Sequence, residues 1–119
     1  MKTIIAGSRN GVKLEDVLYA IHRCGWFITS VVSGTARGAD QMGEIAAKNM
    51  CLQVHKFPAD WDRYGKSAGY KRNVQMAENA DALIAIWDGK SRRTQSMIKI
   101  AKDRGLPVYV YNLGELDAE

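Results

Sequence analysis

The residues best suited to chemistry lie in one short stretch, residues 33–40, which read Ser-Gly-Thr-Ala-Arg-Gly-Ala-Asp. The stretch follows an apolar, β-branched run at 28–32 and precedes a helix-like segment at 41–50. Its glycines, Gly34 and Gly38, lack a Cβ, so the backbone N–H groups of the turn can approach a ligand closely. The first turn of the helix adds unpaired N–H donors and partial positive charge, which suits a phosphate or another anion. A tight strand-to-helix connection without a ligand explains the same two glycines equally well.

Two further turns have the same placement directly after an apolar run. Residues 7–9 (Gly-Ser-Arg) follow the first run, and residues 88–94 (Asp-Gly-Lys-Ser-Arg-Arg-Thr) follow the most apolar run of the chain. Loops that follow parallel strands lie on the same rim of a sheet, where α/β proteins bind ligands. The convergence of three such turns therefore predicts an anion site more strongly than any one of them.

The elements that must position these turns alternate between strands and helices. Apolar runs predict strands at 2–6, 28–32, 52–57, 82–87 and 108–111, with helices at 13–24, 41–50, 69–79 and 93–104. This alternation predicts an α/β fold, namely a Rossmann-like, doubly wound, parallel five-stranded sheet with helices on both faces. We expect the strand order 3-2-1-4-5, which places the switch point between the first and fourth strands.

Length and composition favour one domain. With 119 residues and a net charge of +4, we expect a single domain at 1–113 and a loose acidic tail at 114–119. The scattered lysines and arginines permit nucleic acid as a partner but do not favour it. Cys24 and Cys51 have no metal-ligand spacing and fit a reducing compartment, so we expect no metal. The first apolar run is too short for a signal peptide or a membrane span, so we expect a cytoplasmic protein without membrane contact.

Taken in order, the motifs at 7–9, 33–40, 58–61, 64–73 and 89–94 span nearly the whole chain. Together they resemble the YspA-related (cpYpsA-like) branch of the SLOG superfamily, which includes the LOG phosphoribohydrolases and, more distantly, DprA. The resemblance implies a Rossmannoid domain that binds a nucleotide or a nucleotide-derived ligand. LOG-like enzymes carry a Gly-Gly-x-Gly-Thr-x-x-Glu pattern after the fourth strand. Here Met97 stands at the glutamate position and Arg93 replaces a glycine, and a thioether neither transfers a proton nor carries charge.

The candidate residues also have structural interpretations. Asp40 either caps the helix that follows it or binds a ribose hydroxyl. Glu44 lies one turn further on the same helical face, where the two carboxylates form an acid–base pair or part of a solvated surface. Trp61 and Tyr64 either cover the sheet edge or stack on a base.

We therefore expect a protein that binds or senses a nucleotide-derived small molecule and uses no cofactor, and the sequence favours a binding role over a catalytic one. The first alternative is a phosphoribohydrolase or N-glycosidase acting on nucleoside monophosphates, with Asp40 and Glu44 as catalytic residues. The second alternative is DprA-like nucleic-acid binding, and a homodimer or higher homo-oligomer is compatible with the fold. The predicted ligand-binding residues are Gly7, Ser8, Arg9, Ser33, Gly34, Ala36, Gly38, Asp40, Trp61, Tyr64, Lys66, Arg72, Asn73, Asp88, Gly89, Ser91 and Thr94.

Overall fold

A computed structural model describes residues 1–113, and the predicted tail at 114–119 lies outside this range. Strands and helices alternate along the chain, interrupted only by two short helical turns before α4. The elements are β1 (Lys2–Gly7), α1 (Leu14–Arg23), β2 (Ser30–Ser33), α2 (Ala39–Asn49), β3 (Gln53–Lys56), α3 (Trp61–Tyr64), a 3-10 turn (Gly65–Ser67), α4 (Ala68–Glu78), β4 (Ala82–Trp87), α5 (Arg92–Asp103) and β5 (Val108–Asn112). None of the helices within residues 1–113 is both long enough and apolar enough to cross a membrane.

The five strands form one parallel sheet in the order β3-β2-β1-β4-β5, which confirms the predicted fold and strand order. β1 lies at the centre, where Ile4 pairs with Val32 of β2 on one side and with Leu83 of β4 on the other. The chain therefore reverses its direction of winding between β1 and β4. In open α/β sheets, ligands bind outside the carboxyl ends of the strands at such a switch point.

The core consists of two apolar layers, one on each face of the sheet. Successive residues of a strand point to opposite faces, so Ile5 packs with α1 and α2 while Ile4 packs with α4 and α5. Helix α2 lies very close to the sheet, because a Cβ added to Gly43 would come within 2.8 Å of Ile5 Cγ2. This close packing fixes the start of α2 relative to the carboxyl end of β1.

The helix boundaries differ from the predicted ones by one or two residues, and the segment at 58–68 is more regular than expected. It contains α3 and the 3-10 turn, both too short to show a helical period in the sequence. Asp60 caps α3 by accepting the N–H of Arg63 at 3.2 Å. Helix α2 begins at Ala39, two residues earlier than predicted, directly after the positive φ of 81° at Gly38.

Candidate functional site

The loops after β1, β2 and β4 converge on a cleft of about 350 Å³ at the carboxyl rim of the sheet, which we term the inner cleft. Ten of the residues predicted from the sequence line it: Gly7, Ser8, Arg9, Ala36, Asp40, Arg72, Asn73, Asp88, Ser91 and Thr94. Ala6, Met76 and Met97 supply apolar side chains to the lining. The predicted convergence of the three turns therefore exists as a geometric fact.

Ser8 holds this rim together. Its backbone N–H donates to the Ile86 carbonyl at 2.8 Å, and its own carbonyl accepts the N–H of Ala39 at 3.0 Å. The Ser8 hydroxyl accepts the N–H of Asp88 at 3.1 Å. The end of β1 is thus tied to β4 and to the first turn of α2. Gly7 is required by the same close approach, since a Cβ there would lie 1.9 Å from the Ile86 carbonyl oxygen.

The loop after β2 is held by two side chains that meet at Gly34. Arg72 Nη1, from α4, donates a short hydrogen bond to the Gly34 carbonyl, and Asp40 Oδ2 accepts the N–H of Ala36 at 3.2 Å. A Cβ on Gly34 would lie 2.6 Å from Arg72 Nη1 and 2.7 Å from Asp40 Oδ2. Arg72 Nε also donates to Asn73 Oδ1 at 2.9 Å. Any larger residue at position 34 would therefore collide with the side chains of Arg72 and Asp40.

Asp40 is the titratable group most changed by its surroundings. Its side chain is 5% exposed, and burial raises its pKa from 3.8 to about 6 against the opposing effects of the Ala36 N–H and of Arg72 and Arg9. Burial also lowers the pKa of Arg72, which Asp40 partly restores. At neutral pH Asp40 is therefore ionised, although burial makes its charged form unfavourable, and the cationic side chains of Arg72 and Arg9 lie near it.

The charges that line the inner cleft favour an anion. Three arginines, Arg9, Arg72 and Arg93, line it together with two acidic residues, Asp40 and Asp88. Asp88 is already engaged, because its Oδ1 accepts the N–H groups of Lys90 and Ser91, both at 2.8 Å, and these bonds lower its pKa. Within residues 1–113 no group of three His, Cys, Asp or Glu side chains could hold a metal ion.

A second cleft of about 550 Å³, which we term the outer cleft, adjoins the first. The two clefts share Arg9, Ala36 and Arg72, and the outer cleft continues to Trp61 of α3. Trp61 is 44% exposed, and the Arg93 guanidinium lies 5.2 Å from its ring centroid. This cation–π contact joins α3 to the start of α5, so an aromatic surface and the cationic rim belong to one continuous depression.

Six candidate residues lie away from both clefts within the described part of the chain: Ser33, Gly38, Glu44, Tyr64, Lys66 and Gly89. Glu44 accepts the Ser33 hydroxyl at 2.6 Å, and its Oε1 lies 3.8 Å from Lys56 Nζ. It therefore points toward β3 and does not pair with Asp40 over the inner cleft. The Tyr64 ring is covered by the cations of Arg63 at 5.1 Å and Lys71 at 4.5 Å.

Several residues of the two clefts were absent from the predicted set. Asn10 lines the inner cleft and directly follows Arg9, so its position after β1 was the available signal. Arg37, Pro58 and Ala59 line the outer cleft and occur within the quoted motifs. Met76 lines the inner cleft from α4, and its sequence context shows only an apolar helical position.

The chain is similar to a protein named Gene 61 protein from Mycobacterium phage D29. The two are 34% identical over 119 aligned positions, which cover 90% of this chain and 93% of the phage protein. The name of the phage protein gives a gene number and no activity. No protein-family model and no solved structure matches the chain.

Proposed function

We propose that this chain, which belongs to the family of the Gene 61 protein of Mycobacterium phage D29, binds a nucleotide or nucleotide-derived ligand at the carboxyl rim of its sheet. The observation that carries the proposal is the convergence of Arg9, Arg72 and Arg93 on one cleft at the switch point of the sheet. Guanidinium groups bind phosphate through paired, charge-assisted hydrogen bonds. We also propose that the chain is related to the SLOG superfamily, which its motifs resemble, and that relation agrees with a nucleotide-derived ligand.

Arg9 and Trp61, two exposed residues of the clefts, have different roles in this proposal. Arg9 is exposed at the point where the two clefts meet, so it contacts the phosphate. Trp61 offers the ring that stacks on a base in the outer cleft, since aromatic side chains bind bases through their π-faces. Arg72 is committed to Gly34 and Asn73 and chiefly holds the loop in place.

Calorimetric titration with AMP and with ADP-ribose tests the proposal. Arg9→Ala should weaken binding of an anionic ligand by roughly 1.5–3 kcal/mol, the usual range for a hydrogen bond to a charged group. Because Arg9 is exposed, the melting temperature of the ligand-free protein should stay within the small range of ordinary surface substitutions. Arg92→Ala is the matched control, since Arg92 is an exposed arginine of α5 that lines neither cleft.

A crystal soaked with AMP or ADP-ribose supplies the positional test. Ligand density is expected next to Arg9 and Arg72. Density confined to the opposite rim of the sheet, or an Arg9→Ala protein with lowered stability and unchanged affinity, would contradict the proposal and assign Arg9 a structural role.

One observation favours a second candidate function, cleavage of the N-glycosidic bond of a nucleoside monophosphate. Asp40 lines the inner cleft with a pKa near 6, which is close to the value that a general acid or base needs at neutral pH. Glu44, however, is turned toward Ser33 and Lys56, and Met97 occupies the position of the glutamate in LOG-like enzymes. Within residues 1–113, Asp40 is therefore the one buried carboxyl group that lines the inner cleft, because Asp88 is exposed and already accepts the N–H groups of Lys90 and Ser91.

A further inference from the structure

We propose that Asp40 biases the site toward a phosphate that is linked on both sides, as in a phosphodiester or a bridged diphosphate, and against a terminal phosphate. This inference rests on the proposed function and names the class of nucleotide derivative that the same site accepts. It assigns Asp40 a specificity-determining role, and it requires no chemistry on the ligand.

The first supporting observation is the position of the Asp40 carboxyl group. It lines the inner cleft together with Arg9 and Arg72, and its Oδ2 accepts the Ala36 N–H. Among the ion pairs within residues 1–113, none includes Asp40. Arg72 and Arg9 attract its ionised form without forming an ion pair with it, and burial limits the screening of its charge by solvent. An anion that enters the cleft is attracted by the arginines and repelled by this carboxylate.

The charge of the ligand decides how large that repulsion is. A terminal phosphate has a second pKa of about 6, so at pH 8 it carries close to two negative charges. A phosphate that is linked on both sides carries one. The second charge of a terminal phosphate would lie beside an ionised Asp40, whereas the internal phosphate avoids this repulsion. Binding sites commonly gain specificity from such an unfavourable element directed against the wrong ligand.

The second observation is that the two clefts meet at Arg9 and Arg72. An internal phosphate needs room for a substituent on each side, and the shared arginines have the inner cleft on one side and the outer cleft on the other. The outer cleft offers the half-exposed Trp61 ring to one substituent. A terminal phosphate at the same position would leave one of the two clefts without ligand.

The groups that act electrostatically on Asp40 or share its cleft are Arg9 after β1, Glu44 of α2, Arg72 of α4, Asp88 in the loop after β4 and Arg93 at the start of α5. Arg72 and Arg9 favour ionised Asp40, and Glu44 opposes it. Since the pKa of Asp40 is about 6, its carboxyl group is ionised at pH 8 and largely protonated at pH 5. The discrimination against a terminal phosphate should therefore be strong at pH 8 and small at pH 5.

The test compares AMP with its 5′-methyl phosphate ester, which differ in one methyl group and one ionisation. At pH 8 the ratio of the ester affinity to the AMP affinity should be about tenfold higher in the wild-type protein than in Asp40→Asn, because the arginines act on the ligand in both proteins and the like charge of Asp40 acts only in the first. The amide oxygen of Asp40→Asn still accepts the Ala36 N–H, so the variant removes the charge and keeps the hydrogen bond of the loop. Glu44→Gln, one helical turn away and outside both clefts, should keep the preference.

A measurement on the wild-type protein alone keeps the inference testable if Asp40→Asn does not fold. At pH 7, AMP binding should take up protons, seen as a binding enthalpy that varies with the ionisation enthalpy of the buffer, and ester binding should take up fewer. An ester-to-AMP affinity ratio at pH 8 that is the same in the wild-type protein and in Asp40→Asn, with Arg9→Ala weakening both ligands, would overturn the inference and leave the proposed function standing. Absence of binding by every probe would overturn both. ADP-ribose and a dinucleoside monophosphate then show whether a bridged diphosphate or a phosphodiester binds more tightly.

Discussion

Arg72 and Arg9 carry the same charge at the rim but stand in different surroundings. Arg72 is held by the Gly34 carbonyl and by Asn73, and it contacts the loop that a ligand would touch. Arg9 is exposed and lines both clefts. A substitution of Arg72 therefore disturbs the loop as well as the charge, whereas a substitution of Arg9 reports mainly on ligand binding. This is the physical reason why Arg9 gives the cleaner test of the proposed function.

Met97 is the reason why we expect no hydrolysis of nucleoside monophosphates, because its side chain supplies no carboxylate to the cleft. Its side chain is 1% exposed and packs with Ile4 and Leu83 while reaching the wall of the inner cleft. Cleavage of an N-glycosidic bond develops positive charge on the sugar, which enzymes normally meet with a carboxylate. We expect no release of free base above background when the purified protein is incubated with a panel of nucleoside monophosphates, followed by chromatography. Turnover that disappears in Asp40→Asn would instead establish the second candidate function.

At the scale of elements, the junction of β1 with α2 sets the shape of the rim. Gly38 has a φ of 81°, and a Cβ there would lie 2.4 Å from the Ser8 carbonyl oxygen. That carbonyl accepts the N–H of Ala39, which begins α2. A side chain at position 38 would thus strain the backbone and also push the start of α2 away from β1.

Gly38→Ala and Gly89→Ala form a matched pair that separates these two effects. Both glycines have a φ close to 80°, but a Cβ on Gly89 would meet nothing within 4 Å. Gly89→Ala should lower the free energy of unfolding by about 1–2 kcal/mol, the cost of a left-handed conformation for a side chain. Gly38→Ala should cost about 1–3 kcal/mol more, because the new methyl group overlaps the Ser8 backbone. Urea unfolding measures both, and equal losses would show that the start of α2 yields freely.

The sequence was sufficient for the elements that bury long apolar segments. All five strands and their order follow from apolar runs and from the topology rules of parallel sheets. The helical turns at 61–67 were not predicted, because their order depends on one cap and on the Trp61–Arg93 contact. The sequence predicted a helix at 41–50 with Asp40 as its possible cap, but Asp40 lies inside α2 and Gly38 is the cap residue. A four-residue interval also cannot show that Lys56 and Ser33 draw Glu44 toward β3.

The candidate site was predictable as a set of loops on one rim, since that follows from strand polarity alone. The sequence does not predict which residues of each loop line the cleft, because this depends on their neighbours in the tertiary structure. Gly7 and Gly34, predicted from their closeness to a ligand, are required by approach to Ile86 and to Arg72 and Asp40. The raised pKa of Asp40 was also invisible in the sequence, as it follows from burial.

The buried carboxyl group of Asp40 lowers the free energy of unfolding of the whole molecule by an amount that depends on pH. The pKa of Asp40 is about 6 in the folded protein and near 3.8 when the chain is unfolded. Between these values the folded state binds more protons than the unfolded state, so this group lowers the free energy of unfolding as pH rises from about 4 to above 6. The loss at pH 8 amounts to about 3 kcal/mol.

Asp40→Asn removes this ionisation while it keeps the hydrogen-bond acceptor for Ala36. At pH 8 the variant should therefore be more stable than the wild-type protein by up to about 3 kcal/mol, and the two should be nearly equal at pH 4, where Asp40 is protonated. Urea unfolding at both pH values gives the difference, and the other carboxyl groups cancel in the comparison. Glu44→Gln serves as the control, since it also removes an acid from α2 but one that pairs with Lys56.

An Asp40→Asn protein less stable than wild type at pH 8 would mean that Arg9 and Arg72 stabilise the ionised carboxylate by more than its burial costs. In that case Asp40 would hold the rim together in its charged form, and the selection against terminal phosphates would come with no loss of stability.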